Sequence, residues 1–131
     1  MITKELLAEI GKKKRLANKE YIEKDYFQDI LLFNLFKKTN LFIFKGGTAL
    51  YKIYQLQRFS EDLDFSVSED REIKDIEETI KASIAASGFA VKSIKRTRDS
   101  LLVKAACKGI LTKYNTVRID INLNNKVLRG F

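Results

Sequence analysis

An extended apolar run, Leu41-Phe42-Ile43-Phe44, leads into Lys45-Gly46-Gly47-Thr48, and an apolar-periodic segment with Leu50, Ile53 and Tyr54 begins directly behind it. The chain therefore turns from strand into helix at two residues that have no Cβ. Such a turn leaves the free N–H groups and the positive end of a helix open to close approach, which favours a phosphate, and Thr48 adds a hydroxyl beside it. A short spacer later comes Phe59-Ser60-Glu61-Asp62-Leu63-Asp64-Phe65-Ser66. On a strand, Asp62 and Asp64 point to one face while Leu63 and Phe65 point to the other, into a core. Two like charges so placed repel unless a cation lies between them. Hard oxygen ligands of this kind suit Mg²⁺ or Mn²⁺, with waters and substrate phosphate oxygens completing the shell. A Gly-Gly turn alone is commonly only a tight turn, and an Asp-x-Asp alone a solvated strand end. Together, on successive elements, they point to nucleotidyl or phosphoryl transfer.

The stretch Lys45-Gly46-Gly47-Thr48-Ala49-Leu50 followed by Arg58-Phe59-Ser60-Glu61-Asp62-Leu63-Asp64-Phe65 resembles the AbiEii/AbiGii-type nucleotidyltransferase toxins of the DNA polymerase beta-like nucleotidyltransferase superfamily. The resemblance implies an α/β (α+β) fold, a mixed β-sheet flanked by helices. It implies transfer of a nucleoside monophosphate from a nucleoside triphosphate to an acceptor, an RNA such as tRNA or a protein, with release of pyrophosphate. It also implies a toxin of an abortive-infection or toxin–antitoxin system, with a cognate antitoxin as partner. In that scheme Asp62 and Asp64 hold Mg²⁺ or Mn²⁺, the turn Gly46-Gly47 with Thr48 binds the β- and γ-phosphates, and Arg58 offers its planar fork to phosphate oxygens. Ser60 orients Asp62 or contacts the phosphate. Lys45 either reaches the nucleotide or simply solubilises a strand end.

The superfamily uses a third carboxylate on a later strand, and Val117-Arg118-Ile119-Asp120-Ile121-Asn122-Leu123 offers one. Its alternation places Val117, Ile119, Ile121 and Leu123 on one face and Arg118, Asp120 and Asn122 on the other. Asp120 is then either the exposed side of an edge strand or, with the upstream motifs, the third metal ligand or general base. Asp99 lies in the expected turn 97–100 and is the poorer candidate.

Periodicity predicts helices over 3–16, 19–38 with Asn18 as N-cap, 47–56, and 70–87 capped by Asp70 and ended by Gly88. Strands are expected at 41–44, 62–67, 89–96, 100–107 and 116–123. The aromatic and isoleucine stripes, among them Phe27, Phe33 and Phe36, read as core. The chain, 1–131, reads as a single nucleotidyltransferase core domain, and by the resemblance it lacks the helical C-terminal half of longer members.

Composition narrows the chemistry. With no histidine, Ser-His and Cys-His catalysis within the chain are excluded, and the lone Cys107 in an apolar run reads as a buried thiol. A single cysteine forms no internal bridge, which agrees with a reducing cytoplasm. No signal-peptide order and no bilayer-length apolar run is present, so no membrane partner is expected. Residues 1–88 carry 15 charges of each sign, so of the chain's 25 basic and 17 acidic residues ten and two follow residue 88. Lys92, Lys95, Arg96, Arg98, Lys104 and Lys108 lie on or beside the expected strands around Asp99, a basic surface that suits a nucleic-acid acceptor or is simply lysine-rich. Two other classes stay open: a nucleotide- or RNA-binding module with a degenerate site, and a small-molecule, antibiotic-type nucleotidyltransferase, which would need an acidic acceptor cleft.

Overall fold

A computed structural model describes residues 2–54 and 59–123. Helices α1 (Lys4–Lys13) and α2 (Lys19–Lys38) open the chain, each started by a side-chain cap. Thr3 Oγ1 accepts the Leu6 amide, and Asn18 Oδ1 accepts those of Glu20 and Tyr21. There follow β1 (Phe42–Lys45), α3 (Gly46–Tyr54), β2 (Asp62–Val67), α4 (Ile73–Ala86), β3 (Ala90–Arg96), β4 (Ser100–Lys108) and β5 (Tyr114–Asn122). This is the expected order, with α1 ending at Lys13, short of residue 16, α4 starting three residues late and β5 two residues early. Asp70 does not cap α4: Glu72 stands at the cap position without a side-chain cap bond, and Arg71 pairs with Glu69 at 2.6 Å in the turn before it. Gly88, at φ +82, ends the helix as its missing Cβ allows, and Phe89 N–H closes back on the Ile84 carbonyl.

The strands form one mixed sheet in the order β1-β2-β5-β4-β3. β2 and β5 run parallel and the other pairs antiparallel. The strict alternation of β2, β4 and β5 sends Leu63, Phe65, Val103, Val117, Ile119 and Ile121 to one face, where they are buried. Phe27, Leu31 and Leu35 of α2 and Ile76, Ile80 and Ile84 of α4 close that core. Cys107 lies in it, 1 % exposed, and burial pushes its thiol up to about 12. The opposite face carries Asp62, Asp64, Arg118, Asp120 and Lys104, and α3 lies against β1 and β2.

The face of α2 departs from the apolar stripe. Phe33 is 67 % exposed and Phe36 43 %, whereas Glu23, Asp25 and Gln28 are buried. The cause is that α2 is enclosed on more than its sheet side. Glu23 Oε2 accepts the amides of Ile110, Leu111 and Thr112, and Oε1 accepts Asn115 Nδ2 and the Thr112 hydroxyl, pinning the β4–β5 loop. Burial alone would raise this carboxyl, but the Thr112 hydroxyl, the Ile110 and Leu111 amides and the Asn115 amide together hold it below the usual carboxylate range. Asp25 joins Lys14, the C-cap of α1, at 2.5 Å to Lys52 of α3 at 2.9 Å. The helix carrying the glycine turn is thereby tied to the bundle.

Candidate active site

Gly46 opens α3 at φ +81, a conformation that side-chain-bearing residues rarely adopt. Close approach also demands glycine there, because a Cβ at residue 46 would lie 2.5 Å from Asp64 Oδ2. The turn thus sits directly against the second carboxylate. Gly47 is exposed, and its missing Cβ faces the Ser60 hydroxyl. Gly46→Ala is expected to cost about 1–2 kcal/mol from the backbone alone and to displace the Asp64 carboxylate; urea unfolding measures the first effect and triphosphate titration the second.

Thr48 behaves differently from the sequence expectation. It is fully buried, and its hydroxyl donates to the Asp62 main-chain carbonyl, bracing β2 instead of facing a ligand. Within the turn, the backbone amides rather than this hydroxyl are the candidates to meet a phosphate.

The parallel pairing brings the carboxylates together. Asp64 of β2 is the register partner of Asp120 of β5, and Asp62 that of Arg118. Burial, then the charges of Asp120 and Asp62, push the Asp64 carboxyl above its ordinary range, against the opposing charge of Lys45, its partner across β1. A raised carboxyl favours the folded state only while protonated. That contribution is complete below the unfolded pKa and is lost as pH rises through the folded one. Asp64→Asn is therefore expected to raise the melting temperature by a few degrees at neutral pH in metal-free buffer, with the gain vanishing under acid conditions; thermal melts across pH check it.

Arg118 Nε lies 2.8 Å from Asp62 Oδ1, an ion pair in which that oxygen accepts no hydrogen bond. Its Nη2 lies 3.9 Å from Glu61 Oε2, and Lys24 Nζ is 3.5 Å from Glu61 Oε1. Among the described residues, no three metal-ligating side chains stand close enough together to hold an ion by themselves. Mg²⁺ does not require such a cage, since one or two carboxylates with water and substrate phosphate suffice. The Asp64–Asp120 pair, mutually repelling and of hard oxygen, fits that description, with Asp62 beside it.

Two hollows meet at Asp62 and Arg118, one register row from this pair. A cavity of about 700 Å³ is lined by Gly47, Leu50, Ser60, Asp62 and Arg118 together with Tyr21 and Phe59. The two rings lie 4.9 Å apart, and Tyr51 meets Phe59 edge-on at 5.7 Å. A groove of about 310 Å³ runs over the polar sheet face along Asp120, Arg118, Lys104, Leu102 and Lys95. Of the basic residues singled out around Asp99, Lys95 and Lys104 reach this groove beside Asp120. Arg96 points the other way, to Glu77 of α4, because adjacent strand residues face opposite sides. Lys92 stacks 5.1 Å from the Tyr114 ring.

Arg58 lies outside the described residues. Ser60 lines the large cavity, and its carbonyl, with that of Glu61, accepts Gln28 Nε2 at 3.1 and 3.0 Å. Asp99 stays in its hairpin turn, its carbonyl accepting the Leu123 amide. Arg118 and Gln28 carry no motif signal; only the polar side of the 117–123 alternation pointed towards Arg118.

Comparison with known proteins bears on the family and the fold. The model of the family described as nucleotidyl transferase AbiEii toxin, type IV TA system, matches residues 30–129. No curated protein sequence matches the chain. Among solved structures, a protein provisionally named a nucleotidyltransferase, from H. pylori, superposes with a TM-score of 0.58 at 25 % identity, covering 83 % of this chain and 48 % of its own. MenT4, a nucleotidyltransferase toxin from Mycobacterium tuberculosis H37Rv, gives 0.64 at 21 % identity over 90 % of this chain and 44 % of its own, a likeness of fold. The chain thus spans about half the length of the solved structures it matches.

Proposed function

Because the chain belongs to the AbiEii nucleotidyltransferase toxin family, we propose that it transfers a nucleoside monophosphate from a nucleoside triphosphate to an acceptor hydroxyl, in RNA such as tRNA, as a toxin acting in the cytoplasm under a cognate antitoxin. The observation that carries this reading is the register pairing of Asp64 with Asp120 directly against the Gly46 turn. It sets a pair of carboxylates beside the amides of a helix start, the groups that metal and phosphate binding call for.

The triphosphate lies in the large cavity, its β- and γ-phosphates at the Gly46-Gly47 amides and near the Ser60 hydroxyl. Tyr21, Phe59 and Leu50 supply apolar surface of the kind a nucleobase stacks on. The Asp64–Asp120 pair, with Asp62 beside it, would hold Mg²⁺ or Mn²⁺ together with water and phosphate oxygens, and the ion would supply charge neutralisation and orientation of the α-phosphate. Asp120, at the boundary of the groove, takes the proton of the acceptor hydroxyl as its oxygen bonds to the α-phosphorus. The bond from that phosphorus to the α,β-bridging oxygen breaks, and pyrophosphate leaves. Catalysis of this kind rests on positioning and charge. Lys95, Lys104 and Arg118 give the groove a cationic lining, which suits a polyanionic acceptor better than a small cationic one. No helix among the described residues is long and apolar enough to cross a membrane.

The test is incubation of the chain with each ribonucleoside triphosphate, labelled at the α-phosphate, together with Mg²⁺ and total tRNA. Label from one triphosphate is expected to enter RNA, and EDTA to prevent it. Binding of a triphosphate without transfer would instead favour the binding-module reading; no binding by the folded chain would overturn the transfer reading and leave the binding module for RNA alone.

A further inference from the structure

We infer that Arg118 couples cation and triphosphate binding: it neutralises Asp62 in the absence of a polyanion and exchanges that carboxylate for phosphate oxygens when the triphosphate arrives. The inference rests on the triphosphate reading above and adds to it a residue and an order of events.

The geometry begins with strand register. Parallel pairing puts Arg118 opposite Asp62 in the row before Asp64 and Asp120, and the guanidinium settles between two carboxylates, 2.8 Å from Asp62 and 3.9 Å from Glu61. Neither contact immobilises it. The Asp62 contact lacks hydrogen-bond geometry, and the Arg118 side chain is half exposed, so little binds it to one pose. Glu61 has a second cation in Lys24, which remains if Arg118 departs. Arg118 lines both the cavity that holds Gly47 and Ser60 and the groove that holds Asp120, so one side chain borders phosphate and acceptor alike.

Charge then dictates the exchange. A divalent cation at Asp62 and a guanidinium on the same carboxylate repel each other, so the ion pair opposes metal binding. A triphosphate removes the conflict, because its oxygens accept the planar fork in a bidentate manner and free Asp62 for the cation. Each ligand then raises the affinity of the other by the same factor, with Arg118 as the shared element.

The experiment uses the full chain with Arg118→Gln and Arg118→Lys, whose thermal melts establish folding. Mn²⁺ alone is titrated and followed by electron paramagnetic resonance, and inorganic tripolyphosphate is titrated calorimetrically at fixed free Mg²⁺. Arg118→Gln is expected to bind Mn²⁺ about tenfold more tightly and tripolyphosphate about tenfold more weakly, the size of an ordinary coupling. Arg118→Lys keeps the charge but not the fork, and falls between. Opposite signs support the exchange, since a merely structural role would weaken both ligands together. Changes of the same sign, or none, would show an ordinary surface ion pair and overturn the inference. If wild type binds neither probe, the triphosphate reading fails as well, which separates the two failures.

Discussion

Asp62→Asn combined with Asp64→Asn is expected to abolish Mg²⁺-dependent triphosphate binding and to reduce nucleotidyl transfer by at least about a thousandfold, equivalent to about 4 kcal/mol of transition-state stabilisation. Both replacements keep size and remove charge. The Arg118 ion pair is lost, but a half-exposed pair of this kind stabilises a fold by about 0–1 kcal/mol. Relief of the repulsion at Asp64 offsets that cost. The double variant should therefore melt no lower than wild type while binding nothing, which calorimetry and thermal melts on one preparation can establish. Triphosphate binding that survives in the double variant would place the phosphates elsewhere.

The second large effect belongs to a residue far from any motif. Glu23→Ala is expected to destabilise the fold by about 3 kcal/mol, because it removes the acceptor of the part-buried Ile110, Leu111 and Thr112 amides and one of the two acceptors of both the Thr112 hydroxyl and the Asn115 side chain. For a domain stable by about 5–15 kcal/mol, that is a large fraction. Glu23→Gln separates charge from shape. The Glu23 carboxyl is held low, so its stabilisation is present above the unfolded pKa and is lost as pH falls through the folded one. Wild type and Glu23→Gln should accordingly differ most at neutral pH and converge in acid, as urea titrations at several pH values would register. Asn115 begins the buried positions of β5, so loosening Glu23 should also loosen the strand that bears Asp120.

Local chemistry made the elements legible. Asn18 bonds the first amides of α2, and the helix runs 19–38 as its periodicity predicts; β2 occupies 62–67 because Asp62 and Asp64 alternate with Leu63 and Phe65. The same alternation in 117–123 identified the polar face that bears Asp120 and Arg118. What stayed hidden is non-local. That Asp64 meets Asp120 and Arg118 meets Asp62 depends on the register of a parallel pair, which no local pattern sets. The buried Glu23, Asp25 and Gln28 were equally illegible, because an apolar stripe marks only the side of α2 turned to the sheet. Their partners come from a distant loop, the end of α1, α3 and the entry to β2.

The position of β5 has a consequence for synthesis. It follows the other four strands along the chain yet lies third across the sheet, between β2 and β4. The glycine turn and the first two aspartates leave the ribosome well before their neighbour, and no sequential stacking of strands can complete the central rows. Contacts of such long sequence separation form slowly and late in folding. A nascent chain therefore carries the motifs before the carboxylate pair exists, and the proposed chemistry waits on the insertion of β5.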